Sequence, residues 1–165
     1  MTNTTHTKHT IAILVNDQPG VLQRVSGLFG RRGFNIESIT VGQSEEKGIS
    51  RMVIVSTGDD KTIEQIEKQL YKIIDVIKVV DLSANPMVGR ELALIKVKSD
   101  PGTRPEIMGL VETFRAAVVD IGTNSLMVQV VGDTEKIDAM IELLSPYGIR
   151  ELSRTGVTAM IRGNA

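Results

Sequence analysis

Cysteine is absent from these 165 residues, so no disulfide, thiolate metal ligand or cysteine nucleophile can be built. Tryptophan is missing too, and aromatics make up 3% of the chain, so the core must be assembled from Ile, Val, Leu and Met. That suits thin layers of sheet and helix better than a large aromatic-lined cavity. There is no excess of charge of one sign: 19 basic and 20 acidic residues leave a net −1, without the positive field that attracts phosphate backbones. Nucleic acid is not an expected partner. No run approaches the roughly 18 apolar residues of a membrane span. Residues Met1 to Lys8 are polar and Thr-rich, without the apolar stretch a secretory leader requires. The expectation is a cytoplasmic protein, not associated with membranes, whose residues 1–8 form a disordered tail.

What is present is an ordinary globular composition, 41% hydrophobic and 24% charged, in a chain long enough for one domain or two small ones. Ile11 to Val15 is a short β-branched run that reads as a strand. After Pro19-Gly20, Val21, Leu22, Val25, Leu28 and Phe29 form the stripe of an amphipathic helix, which Gly33 stops. Phe34 to Val41 and Arg51 to Val55 read as a hairpin with a polar tip. Ile63, Ile66, Leu70, Ile73 and Ile77 keep helical spacing behind an Asp59 or Asp60 cap, but a strand over Ile74 to Leu82 must take over near residue 74. The order is βαββαβ.

The order then repeats. Leu92 to Val97 is a strand, and a helix with Pro105 in its first turn carries Ile107, Leu110, Val111 and Phe114. Ala116 to Ile121 and Leu126 to Val131 form a hairpin across Gly122-Thr123-Asn124. Ile137, Met140, Ile141 and Leu144 mark a second helix, and a last strand begins near Ile149, ahead of a tail that is apolar at Val157, Ala159 and Ile161. Pro19-Gly20 and Pro101-Gly102 occupy matching strand-to-helix junctions 82 residues apart. The fold class is therefore α+β, with two ferredoxin-like βαββαβ domains in tandem: residues 9–83, a linker over 84–90, and 91–165. Each sheet would have helices on one face and leave the other face and an edge strand for a partner, so a homodimer is expected.

In Asn16-Asp17-Gln18-Pro19-Gly20-Val21-Leu22 a strand ends, glycine removes a side chain and a helix begins, exposing backbone N–H groups at the positive end of a helix dipole. A small carboxylate suits such a junction. An ammonium would find acceptors in Asp17, Gln18 and Asn35. If two domains pair through their second strands, Asn35-Ile36-Glu37 of one protomer would lie near the loop of the other. The same dipeptide is also ordinary turn chemistry, and residue types alone leave both readings open.

The stretch from Asn16 to Leu22, with Gly30-Arg31-Arg32-Gly33-Phe34-Asn35-Ile36-Glu37-Ser38-Ile39-Thr40-Val41 and Ser50-Arg51-Met52, resembles the regulatory subunit of acetohydroxyacid (acetolactate) synthase. The resemblance continues through Gln65 to Leu70, Asp75 to Val79 and Arg90 to Val97, and ends at Arg154-Thr155-Gly156. It implies an N-terminal ACT domain, a C-terminal ferredoxin-like domain, and feedback inhibition by valine of the first common step of branched-chain amino-acid synthesis. It also implies an effector site made of Asp17, Gln18, Pro19, Gly20, Val21 and Leu22 from one protomer with Asn35 and Ile36 from the other. The partner it implies is a catalytic large subunit, which would bind thiamine diphosphate, magnesium and FAD, leaving no cofactor on this chain and no catalysis by it alone. A free-standing amino-acid sensor acting on another enzyme would use the same binding chemistry.

Other functions of this topology fit less well. His6 and His9 lack convergent metal partners, and no phosphate loop or Gly-x-Gly-x-x-Gly is present. Arg31 and Arg32 sit at a helix end rather than in the phosphate loop of an acylphosphatase-type enzyme. Arg51 to Val55 has no aromatic on which an RNA base could stack.

Overall fold

The computed structural model describes residues 7–163. Among them two compact units emerge, one formed by residues 7–88 with 157–163 and the other by 89–156.

The first unit begins with β1 (Thr7–Asn16), α1 (Val21–Arg31), β2 (Ile36–Gln43), β3 (Ile49–Gly58), α2 (Asp60–Leu70) and β4 (Val76–Asp81). Its sheet runs in the order β2-β3-β1-β4 with antiparallel neighbours, the ferredoxin-like arrangement. Ile11, Ile13 and Val15 on β1 and Met52 and Ile54 on β3 point to one face, where Val21, Val25, Leu28 and Phe29 of α1 and Ile63, Ile66 and Leu70 of α2 close the core. Burying a side chain of this size stabilises by roughly 1.5–3 kcal/mol, so this layer carries most of the unit's stability.

Helix ends follow the local chemistry. Asp59 accepts the N–H of Thr62 at 2.8 Å and caps α2. Gly33, at φ 69°, ends α1, with the Phe34 N–H reaching the Phe29 carbonyl at 2.9 Å and the two rings meeting edge to face at 6.3 Å. That stop hands the chain to β2.

Three expectations change. Residues 1–6 of the expected tail lie outside the described residues, but Thr7 and Lys8 belong to β1, because β3 extends to Gly58 and offers them ladder partners. α2 ends at Leu70, and β4 takes over at Val76; Ile73 kept the helical spacing because it packs against the core from a turn. The third change concerns the domain limits. Instead of a linker through residue 90, β5 (Met87–Lys98) starts at Met87, and the C-terminal segment belongs to the first unit. There β9 (Thr158–Ile161) pairs with β5, and the Arg162 N–H donates to the Pro86 carbonyl at 2.9 Å. Val157, Ala159 and Ile161 pack with Ala12, Val53, Val80, Leu82 and Met87 in a second small core, and the Thr40 hydroxyl donates to the Val157 carbonyl at 3.3 Å. The sheet face expected to be open is thus partly covered by the protein's own C-terminal segment.

The second unit repeats the plan with the rest of β5, α3 (Arg104–Thr113), β6 (Ala117–Ile121), β7 (Ser125–Gly132), α4 (Thr134–Leu144) and β8 (Ile149–Arg154), in the order β6-β7-β5-β8. Ala93, Ile95, Val97, Leu126, Val128 and Val130 face Ile107, Val111, Ile137, Met140 and Leu144. Two tandem ferredoxin-like βαββαβ folds, α+β, are the architecture. Among the described residues no helix is long and apolar enough to cross a membrane.

Candidate effector-binding site

The loop between β1 and α1 is held from beneath. The Asn16 N–H donates to the Asp75 carbonyl and the Asp17 N–H to the Gly48 carbonyl, both at 2.9 Å, while the Gln18 N–H turns back to Asn16. Asp17, Gln18, Pro19 and Gly20 are all exposed. Gly20 stands at the helix N-cap with φ 84° and ψ −3°, left-handed backbone that glycine enters without strain. Val21 is buried and anchors the helix, whereas Leu22 is 47% exposed and faces outward from the first turn.

No side chain caps α1, and its first turn has no acidic residue. The amides of Gly20, Leu22 and Gln23 have no acceptor among the described residues. Uncapped donors at the positive end of a helix are a receptor for an anion of carboxylate size. The matching loop of the second unit differs: the Asp100 carboxylate accepts the amides of Gly102 and Thr103, each at 2.9 Å. Those bonds, the Thr103 amide first, hold the Asp100 carboxyl below its ordinary value. In the second loop a carboxylate of its own accepts these amides, and in the first no side chain does.

Asn35 and Ile36 are not beside the loop within one chain. Ile36 pairs with Ser56, which pairs with His9, while the loop follows Asn16 at the far end of β1, opposite Ile49. The separation is seven strand residues, roughly 23 Å at 3.3 Å per residue. The Asn35 side chain is exposed and without a partner among the described residues; its backbone carbonyl accepts the Ser56 hydroxyl at 2.7 Å. β2 is an edge strand, so its outer backbone groups are free to pair with another chain.

Two residues at the loop escaped the sequence reading. Arg24, one turn into α1, forms an ion pair with Asp75, and its Nη1 lies 3.1 Å from where a Cβ on Gly20 would sit. Arg24 had a local signal, as the lone cation four residues after Gly20. Asp75 had none, because 51 residues separate the pair.

The model of the AHAS small subunit-like ACT domain matches residues 11–78, and that of the small subunit of acetolactate synthase matches 90–163. The chain belongs to the acetolactate synthase small-subunit family. It is 54% identical over 157 residues to the probable acetolactate synthase small subunit of Archaeoglobus fulgidus, covering 95% of this chain and 98% of that one. Identity to the acetolactate synthase small subunit of Bacillus subtilis is 53% over 157 residues, covering 94% and 91% of the two chains. The crystal structure of the Thermotoga maritima small subunit superimposes with a TM-score of 0.89 at 48% identity, covering 96% of this chain and 99% of that one.

Among the described residues no group of three or more His, Cys, Asp or Glu is placed to hold a metal ion. His9 instead makes a 3.2 Å contact with Asp81, and His6 lies outside the described residues. Arg154-Thr155-Gly156, where the family resemblance ends, closes β8 onto β5. Arg154 forks onto Glu91 at 3.0 and 3.1 Å, and Thr155 exchanges two hydrogen bonds with Leu92. Gly156 follows at φ 79°.

Proposed function

We propose that this regulatory small subunit binds valine at the β1–α1 loop of an ACT homodimer and thereby imposes feedback inhibition on the catalytic subunit that it activates. The observation that carries the reading is the uncapped N-terminus of α1 behind a left-handed Gly20, inside a domain of the acetolactate synthase small-subunit family. The amides at Gly20, Leu22 and Gln23 receive the ligand carboxylate, Asp17 and Gln18 are within the same loop for its ammonium, and Leu22 offers an apolar surface to its side chain. Antiparallel pairing of two β2 edges supplies Asn35 and Ile36. Gln43 lies level with Val15 through Ser50, so the strand end carrying Ile36 in one protomer would lie beside the loop end of its partner.

The reaction itself belongs to the large subunit, with its thiamine diphosphate, magnesium and FAD, in the cytoplasmic synthesis of branched-chain amino acids. Valine acts by favouring one arrangement of the dimer over the arrangement that activates that subunit. Linkage then requires valine and the catalytic subunit to weaken each other's binding by the same factor, typically with 1–3 kcal/mol of coupling. Valine and isoleucine differ by one methylene, worth only about 1–3 kcal/mol in an apolar pocket, so modest discrimination is expected.

The test is co-purification with the catalytic subunit followed by acetolactate assays with and without valine, leucine and isoleucine. Stimulation by the small subunit, reversed by valine, is the expected result. Co-purification without valine sensitivity would refute the effector assignment, and absence of any complex would point to a free-standing sensor.

A further inference from the structure

Arg24 occupies a position that helix electrostatics disfavours. A cation one turn from a helix N-terminus faces the positive end of the dipole, and no acidic side chain of α1's first turn compensates it. What holds it is Asp75, whose side chain is 13% exposed against 47% for Arg24 and whose backbone carbonyl also anchors Asn16. Side chains on a helix lean toward its N-terminus, which directs this guanidinium back over Gly20, where Nη1 sits 3.1 Å from the would-be Cβ. Among the described residues only Nη2 has an acceptor, which leaves the Nη1 N–H groups, beside Gly20 at the start of the helix, unpaired.

We propose that Arg24, positioned by Asp75, is the charge that selects an α-carboxylate in the effector site. The inference rests on the effector reading above and adds to it a side chain that separates amino acids from their uncharged analogues. Asp75 fixes one arm of the guanidinium, so the other is presented in a set direction, as a bidentate cation requires and a lysine cannot reproduce.

The test uses the full chain as wild type, Arg24→Gln and Arg24→Lys, with valine affinity read by calorimetry and amide exchange of α1 followed without ligand. Arg24→Gln should weaken valine roughly ten- to hundredfold, the usual worth of a hydrogen bond to a charged group. Arg24→Lys should fall between it and wild type, and protection of α1 should remain at the wild-type level in both. Valine affinity within threefold of wild type in Arg24→Gln would overturn the proposal, as would lost protection of α1, which would make Arg24 a strut for the helix. Wild-type chain that binds no valine would instead overturn the effector reading itself.

Discussion

Gly20 is the residue on which the proposed site depends most. Its φ of 84° costs an L-residue about 1–2 kcal/mol, and any side chain would meet the Arg24 guanidinium. Gly20→Asp should therefore abolish valine binding, because its carboxylate would occupy the ground proposed for the ligand's, while lowering stability by no more than about 2 kcal/mol. Calorimetry together with denaturant unfolding checks both halves. Asn35→Ala makes the opposite contrast: with its side chain exposed and unpaired within the chain, stability should stay within about 0.5 kcal/mol. Valine affinity should nevertheless fall by roughly 1–3 kcal/mol. Unchanged affinity would remove Asn35 from the site. Pro19-Gly20 was readable from residue types because turn chemistry is local. Arg24 and Asp75 meet through the tertiary fold, which no pattern of adjacent residues encodes.

At the scale of elements, the two strand-to-helix loops differ in whether an internal carboxylate caps them. Asp100 has a lowered folded-state value, so its contribution is fully present above the ordinary aspartate value of 3.8 and is lost as pH falls through the lowered one. Amide exchange corrected for intrinsic rates should show Gly102 and Thr103 losing protection over that acid window, whereas Leu22 and Gln23 should gain protection only when valine is added. Closure of β8 depends on Glu91, whose side chain is 4% exposed and is held by the Arg154 fork. The Glu91 hydrogen bond is the main reason that the Arg154 guanidinium holds its proton beyond its ordinary value. Arg154→Ala should cost about 3 kcal/mol in unfolding free energy, because it leaves a buried carboxylate without its partner. A loss under 1 kcal/mol would contradict that account. Helix starts were readable from caps such as Asp59. The end of α2 was not, since Ile73 reaches the same core from a turn and prolongs the periodicity past the last helical residue.

For the molecule as a whole, the βαββαβ repeat followed from periodicity, but the chain's return to the first unit did not. Val157, Ala159 and Ile161 alternate as a strand does, yet alternation does not say which sheet receives them. Their targets, Ala12 and Val53, lie on central strands whose both faces are buried. A chain ending at Gly156 should therefore lose on the order of 2–4 kcal/mol from the first unit through re-exposed apolar surface, with the second unit unchanged. Hydrogen exchange resolved by segment would show this as a loss of protection in β1, β3 and the start of β5 that pairs with β9, and not in α3, α4, β6, β7 or β8.

The claim on which the functional account turns is a valine site shared between two protomers, and a mixed dimer tests it most directly. Gly20→Asp chains and Asn35→Ala chains, each deficient in valine binding, are combined so that protomers exchange, and valine binding is titrated by calorimetry. In each mixed dimer one site would carry both substitutions and the other neither, so one wild-type-affinity site per mixed dimer is the predicted result. A mixture that binds valine no better than its separate components would show that the loop and Asn35 do not meet across the dimer, and would contradict the account.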